Sequence, residues 1–420
     1  MDYVIHVVVI ALIYVILAAS LNLLIGYTGL VSMAHAAFFG VGGYAAGIMA
    51  QQLGCNFLLA IVVGVVLSAI MGIIIAVPAL RVRDEYLILL TLGFQMVIYG
   101  FMVNLVGLTG GRGGLVGIPR PSIFGLHFLS PASYLPLVFI LAALCFAVSW
   151  RIAYSPFGRV LKGIREDETA TRSLGKDVLR FKVLVFMVSG GIAAVAGGIF
   201  AFYIAFINPF SFTLHEGIFI IALVVLGGSA NLWGSVLGAF LLIGIPEALR
   251  FLRMGTAIID PLRVVIYGVL LVLFMRFRPQ GLIPEYARVS AKIPQPGELP
   301  PVRKEPPIRQ TKSSQSQFKA RSGPQTMLEA KEIVKNFGGL RAVNHLSLSM
   351  ESGKITSLVG PNGCGKTTAF NLMTGFLAPD EGKIYFRGQD VTKLRPHQLV
   401  RAGMARSWQD VRIFPGMTLL

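Results

Sequence analysis

Charge is what this chain has least of. Of its 420 residues only 14% are Asp, Glu, Lys or Arg, and 55% are hydrophobic. A soluble globular domain carries about 25% charged residues. That shortage, with a mean hydropathy of +0.71, excludes a wholly water-soluble fold and puts much of the chain against lipid. Cysteine is nearly absent. Cys55, Cys145 and Cys364 are scattered without paired spacing, which excludes a disulfide framework and a Cys-rich zinc site. Acid is scarcer than base, 20 residues against 37, for a formal net charge of +17. Such an excess would suit nucleic acid, but no recognition module accompanies it. The basic residues crowd instead into loops beside apolar runs and into one linker, the pattern of membrane topology, so no nucleic-acid partner is expected. The N-terminus also lacks a basic n-region and a small-residue cleavage site, so Tyr3 onward reads as a retained span.

What is present begins with apolar runs, several of them reaching the ~20 residues that cross a hydrocarbon core. They cover residues 3–25, 31–50, 57–78, 85–106, 134–152, 183–206, 217–232, 234–251 and 261–277. The sequence therefore predicts an α-helical polytopic membrane domain of about nine spans, with 31–50 and 217–232 the Gly-rich or short members. Between 151 and 182 lie Arg159, Lys162, Arg165, Arg172, Lys176 and Arg180, which puts this interval on the cytoplasmic side. Arg276, Arg278 and Arg288 put the end of the last span there too. Arg81 and Arg83 then fall inside, while Asp2 and the loop 107–131 fall outside. The two halves echo each other at an offset of about 180 residues, His35 matching His215. In that orientation the halves run in opposite senses, an inverted repeat of the kind transporters use for alternating access.

Composition changes abruptly after the last span. Residues 285–326 are rich in Pro, Lys, Arg, Gln and Ser and cannot bury enough apolar area to order themselves. They read as a disordered basic linker between a permease-like part at 1–284 and a different kind of sequence at 327–420. In that last part, 328–334, 346–350 and 383–386 read as strands and 367–376 as a helix. The apolar run 355–359 reads as the strand that feeds a phosphate loop.

The loop itself is Gly360-Pro361-Asn362-Gly363-Cys364-Gly365-Lys366-Thr367-Thr368. It fits G-x-x-x-x-G-K-[ST], in which glycines let backbone N–H groups curl inward around phosphate. Lys366 is placed to neutralise the β- and γ-phosphates of ATP, and the Thr367 hydroxyl to hold Mg²⁺. Thr368 sits in the first helical turn, at the positive end of the helix dipole. The position of Cys364 tolerates any side chain, so its thiol has no expected chemistry.

Beside that loop, Phe337-Gly338-Gly339-Leu340-Arg341-Ala342-Val343, Asn371-Leu372-Met373-Thr374-Gly375-Phe376 and Arg406-Ser407-Trp408-Gln409 complete a pattern. Together they resemble the ATPase subunit of ABC importers for branched-chain amino acids. The membrane part resembles the matching permease, in the block from Gly26 to Gly40, in Thr109-Gly110-Gly111-Arg112-Gly113-Gly114-Leu115, in Ser155-Pro156-Phe157-Gly158-Arg159 and in Leu226-Gly227-Gly228. The resemblance implies that Phe337 stacks on adenine and that Gln409 contacts Mg²⁺ and the permease; for Phe337 alone, a buried core aromatic is the commoner reading. It also implies a second permease subunit, complete ABC ATPase subunits and an extracytoplasmic amino-acid-binding protein as partners. The setting is the bacterial inner membrane, with the C-terminal domain cytoplasmic. In the family the signature loop, Walker B carboxylate, catalytic Glu and switch His follow Gln409, and this sequence ends eleven residues after it. The second domain is therefore expected to be an incomplete α/β P-loop ABC ATPase domain that alone neither binds ATP tightly nor hydrolyses it. Three other readings stay open: a permease for urea or short amides, a membrane anchor with a degenerate nucleotide-responsive domain, and a passive channel.

Two further sets of residues are candidates. Within 151–182, Ser155, Gly158, Arg165, Glu166, Asp167, Glu168 and Gly175 mark a short helix with a mixed-charge exposed face that a soluble motor could grip, or else a solvated loop. Within the apolar stretches, His35, His215, Glu216 and Glu247 are candidates for the substrate path, because ionisable groups there are costly. The plain alternatives are a Glu247–Arg250 pair and histidines satisfying backbone carbonyls. Asn22, Gln95 and Asn104 read as bonds between helices. Gly40, Gly42, Gly43, Gly227 and Gly228 read either as helix breaks that expose backbone to a ligand or as close packing.

Overall fold

The computed structural model describes residues 2–79, 84–123, 126–128, 130–251, 256–278, 280–285 and 326–408. All but the ends of the expected linker, and Arg81 and Arg83, lie outside the described residues. The chain divides into two compact units, Met1–Glu168 with Val178–Ala287, and Thr169–Asp177 with Arg288–Leu420.

The first unit is helical. Its helices are α1 (Asp2–Thr28), α2 (His35–Gln52), α3 (Phe57–Ala79), α4 (Asp84–Asn104), the single turn α5 (Val106–Thr109), α6 (Pro131–Ala153) and α7 (Pro156–Glu166). After α8 (Glu168–Ser173), which runs into the second unit, come α9 (Val178–Ile204), α10 (Leu214–Gly227), α11 (Leu232–Phe251) and α12 (Thr256–Phe277). Two-residue strands, β1 (Leu115–Val116) to β4 (Phe206–Ile207) and β2 (Ser122–Ile123) to β3 (Leu126–His127), pair antiparallel. Every apolar run read from sequence corresponds to a helix, but not every helix is long and apolar enough to cross. Among the described residues five are, and up to six if α10 and the first part of α11 count as one span.

α1 and α9, each 27 residues, form the buried centre. At ~1.5 Å per residue each reaches about 40 Å, longer than the ~30 Å hydrocarbon core. α3 and α6 turn Val62, Val66, Ile70, Ile74, Phe139, Ile140 and Leu144 outward, and such a continuous apolar face suits lipid rather than water. α2 has no break at Gly40, Gly42 or Gly43. A Cβ at Gly42 would lie 2.3 Å from Ala194 Cα and one at Gly43 3.1 Å from Gly197 O, so these two serve backbone contact with α9, while Gly40 packs under the Met102 and Phe212 side chains.

Gly227 and Gly228 do mark a break. α10 and α11 meet at 119° across it. In an apolar setting the freed backbone groups need partners, and Asn22 supplies them. Its amide donates to Asn231 O at 2.9 Å and to Ser235 Oγ at 2.8 Å, and its Oδ1 accepts from Ala230 N at 2.8 Å. Asn231 Oδ1 in turn caps α11 at Trp233 N, 3.0 Å. The end of the unit is tied to the same place, Leu282 N and Ile283 N donating to Leu226 O and Gly227 O at 2.9 and 3.0 Å.

The second unit holds a four-stranded antiparallel sheet in the order β6 (Leu340–Glu351), β5 (Thr326–Phe337), β7 (Glu381–Phe386), β8 (Gln389–Asp390). Against it lie α13 (Lys366–Met373) and α14 (Pro396–Arg401), burying Ala330, Ile333, Leu372, Ile384 and Leu399. The expected strand at 355–359 does not form. It finds no ladder partner among the described residues, and Ile355 and Val359 are 98% and 89% exposed. Apolar β-formers alone do not make a strand when nothing accepts their backbone bonds.

Candidate functional site

The phosphate loop leads directly into α13. Gly365, at φ +91°, is the N-cap, and no side chain caps the helix, so the first-turn N–H groups are left to a ligand. A Cβ at Gly365 would stand 2.3 Å from Ala342 O, so with its positive φ only glycine fits there. Lys366 Nζ donates to Gly360 O and Pro361 O, 2.6 Å each, and is 3.7 Å from Cys364 Sγ. The ammonium is thus held across the loop that a polyphosphate would fill. Pro361, Asn362, Gly363, Cys364 and Thr367 are exposed and Thr368 is half-buried, so the loop is open to a ligand. The donors are all positive or N–H, and the set fits a nucleoside triphosphate. Phe337, at the hairpin end of β5, is 47% exposed rather than a core aromatic, with Lys335 Nζ 5.9 Å from its ring centroid. Gln409 lies outside the described residues.

The segment Thr169–Asp177 belongs to this same unit. Trp408 Nε1 donates to Ser173 Oγ at 3.1 Å, His397 Nε2 is 3.5 Å from Asp177 Oδ2, and Gly175, at φ +78°, faces Val400. Arg406 lies over the Trp408 ring, 4.1 Å from its centroid, and donates to Asn371 Oδ1 at 2.7 Å and Thr374 Oγ1 at 2.9 Å. Since Asn371 is on α13, a continuous set of contacts runs from Ser173 to the helix that starts at Lys366. Sequence reasoning missed Ser173 and Asp177. The nearest signal was the pair Arg406 and Trp408, quoted only as part of a resemblance.

The charged residues just before this segment are not the exposed face that sequence suggested. Ser155 caps α7, its Oγ accepting from Gly158 N at 3.3 Å, and Gly158 is buried. Arg165 donates to Gly26 O at 2.6 Å and to Glu285 Oε2 at 2.8 Å, and Lys162 bonds Glu285 Oε1 at 2.6 Å. Glu166 lies 3.8 Å from Arg165, Asp167 ends α7, and Glu168 pairs with Lys182 at 2.7 Å. The reason is amphipathicity. Leu161 and Ile164 bury one face of α7, which turns Lys162 and Arg165 along the first unit.

The intramembrane candidates are not brought together. His35 is fully buried, with Nε2 2.8 Å from Ser20 Oγ and no partner for Nδ1. Glu216 accepts from Tyr14 and Glu247 from Tyr3, whereas His215 is exposed. The alternative partner of Glu247, the Arg250 side chain, lies outside the described residues. Asn22 and Gln95 do bond across elements, Gln95 Nε2 donating to Phe212 O at 2.8 Å, but Asn104 bonds Gly100 O of its own helix. Gln95 Oε1 and Tyr44 OH are buried without partners, like His35 Nδ1.

Comparison with known proteins decides the family. The model of the family "Branched-chain amino acid transport system / permease component" matches residues 3–275. The chain belongs to that permease family. A second model, of the ABC transporter family, matches residues 343–420. The high-affinity branched-chain amino acid transport system permease protein LivM of Escherichia coli is 32% identical over 65% of this chain and 68% of its own length. The probable branched-chain amino acid transport ATP-binding protein LivG of Archaeoglobus fulgidus is 42% identical over 22% of this chain and 37% of its own. The chain thus spans a little over a third of that ATP-binding relative. A nucleotide-free ATP-binding cassette of an ABC transporter is 41% identical over 20% of this chain and 34% of its own, with a TM-score of 0.20. The helical unit is therefore a membrane-embedded permease, and residues 343–420 are a segment of an ABC transporter ATP-binding domain.

Proposed function

We propose that this permease carries branched-chain amino acids inward and that the ABC segment on the same chain is part of the motor. One observation carries the reading: a bundle of this permease family and a phosphate loop with Lys366 in place are covalently one molecule. The domains are 1–284 for the permease, 285–326 for a basic tether and 327–420 for the N-terminal part of the nucleotide-binding domain. The nine apolar helices form two inverted halves. In support, α1 and α9 are equally long, and His35 and His215 open α2 and α10. The basic interval at 151–182 faces the cytoplasm of a bacterial inner membrane, and the ATPase segment lies on that side.

ATP binds with Lys366 on its phosphates, Thr367 and Gln409 toward Mg²⁺ and Phe337 against adenine. Bound ATP supplies the free energy; this chain's residues hold and orient it. Ser155, Gly158, Arg165, Glu166, Asp167, Glu168 and Gly175 form the coupling loop, supported by the contacts from Ser173 through Arg406 to α13. His35 is the substrate-path candidate with the best physical support, because its unpartnered Nδ1 joins those of Gln95 and Tyr44 as unmet polar capacity. His215, Glu216 and Glu247 are weaker candidates. A second permease, complete ATPase subunits and an extracytoplasmic binding protein complete the importer.

Reconstituted with those partners, the chain is expected to take up leucine with competition by isoleucine and valine but not urea. Uptake of urea in preference to leucine would refute the cargo assignment. Coupling has its own test. Gly175→Leu forces a β-carbon at φ +78° against Val400 Cγ1, 3.4 Å away, costing about 1–2 kcal/mol. Uptake should fall at least about tenfold while nucleotide binding holds. Equal loss of both, or of neither, would remove Gly175 from the coupling loop.

A further inference from the structure

α6 is 23 residues long, about 35 Å at ~1.5 Å per residue, so it outspans the ~30 Å hydrocarbon core. Ile140, Leu144 and Val148 form an exposed apolar stripe along it at helical spacing. The next position on that face is Arg151, in the last turn and also exposed. An arginine so placed lays its aliphatic stem along the stripe and lifts its guanidinium to the level of lipid headgroups.

Beside it stands a cluster of rings. Trp150 lies 4.5 Å from Tyr154 and 6.3 Å from Trp233, centroid to centroid, and Phe146 lies 5.0 Å from Trp233. Trp233 comes from the first turn of α11, so the cluster is fixed by two helices. Trp150, Tyr154 and Trp233 are nevertheless exposed. Against water alone such a surface is costly, whereas amphipathic rings favour the boundary between hydrocarbon and water.

The unused polar groups are all donors. Arg151, and Arg159 in the first turn of α7, make no side-chain hydrogen bond or ion pair among the described residues, and neither does the indole N–H of Trp150 or Trp233. Glu285, the carboxylate bonded to α7 from the end of the unit, already holds Lys162 and Arg165. Two guanidinium groups are thus left without a counter-charge beside two N–H donors. A phosphodiester accepts from both kinds of donor, and the arginine fork matches its paired oxygens. A zwitterionic headgroup would bring its own cation against the arginines, and an anionic one does not.

We propose that the last turn of α6, with Arg159 and Trp233, is a docking site for an anionic phospholipid. The phosphate sits on Arg151 and Arg159, the glycerol backbone meets the indoles of Trp150 and Trp233, and an acyl chain follows the Ile140–Leu144–Val148 stripe. In the orientation proposed above, the lipid belongs to the inner leaflet.

The chain has three tryptophans, so the full chain carrying Trp408→Phe keeps only the clustered pair as reporters. In phosphatidylcholine nanodiscs, phosphatidylglycerol brominated high on its acyl chains should quench their fluorescence at a mole fraction roughly thirtyfold below that needed with brominated phosphatidylcholine, the preference expected of two basic side chains at a membrane surface. Arg151→Gln or Arg159→Gln should each cut the preference about fivefold, and the double variant should nearly abolish it. Arg112→Gln, which removes the same charge from an exposed residue of the 107–131 loop, should leave it intact. Both leaflets share one composition, so the result is independent of the orientation and cargo proposed above. Equal quenching by the two lipids, stronger quenching by phosphatidylcholine, or a preference undiminished in the double variant would overturn the proposal. An equal loss in Arg112→Gln would do the same, and so would relief of quenching by soluble glycerol 1-phosphate, which would make the site one for a free phosphate ester.

Discussion

Replacing Lys366 by alanine in every copy should reduce ATP-driven uptake by the assembled importer at least about a hundredfold. The ammonium makes two charge-assisted bonds, to Gly360 O and Pro361 O, and it is the only side-chain cation bonded to the phosphate loop among the described residues. Two such bonds are worth about 3 kcal/mol or more when transferred to phosphate oxygens, which is on the order of a hundredfold. Removal also leaves those carbonyl oxygens turned toward a polyanion. Lys366→Arg should rescue little, because a planar fork does not replace a compact ammonium in so tight a curl. Uptake of radiolabelled leucine, with all other motors inactivated, is the measurement. Undiminished uptake in Lys366→Ala would separate this loop from transport.

The second large effect is on stability. Asn22 is fully buried and satisfies the break between α10 and α11 with one acceptor and one amide. Asn22→Leu keeps the branched side-chain skeleton but strands the Ala230 N–H where water cannot replace it, and removes the bonds to Ser235 Oγ and to Asn231 O, which keeps Ser235 N as a donor. One buried unsatisfied group costs about 1–3 kcal/mol and each of the two lost bonds about 0.5–1.5 kcal/mol, so a loss of roughly 2–6 kcal/mol is expected. Thermal unfolding of the full chain in detergent should therefore show a midpoint several degrees lower. Ser235→Ala, losing one bond, should cost about 1 kcal/mol. Asn22→Asp keeps the acceptor for Ala230 N and should lie between the two. A wild-type midpoint for Asn22→Leu would mean that the break is held by something else.

These two residues also separate what was readable in the sequence from what was not. Lys366 was legible because the phosphate loop is a local code, in which spacing within nine residues fixes the chemistry. The apolar helices were legible for a similar reason, since hydropathy acts along one segment at a time. Asn22 was named only as a possible bond between helices, because its partners lie 206 to 213 residues away. Arg165 was read as part of an exposed face because Glu285, its partner, is more than a hundred residues on. The run at 355–359 failed in the opposite direction. Its residues favour a strand, but a strand exists only with a neighbour, and sequence periodicity contains no information about the neighbour. The contact of Ser173 with Trp408 spans 235 residues and left no local mark at all.

The most direct measurement is leucine accumulation against its own gradient in proteoliposomes that contain the complete importer built on this chain. The internal leucine concentration should exceed the external one only when ATP and Mg²⁺ are present on the side of the phosphate loop, and a non-hydrolysable ATP analogue should not support it. Equilibration to the external concentration at the same rate with or without ATP would contradict the central claim, and would make the helical unit a passive conduit.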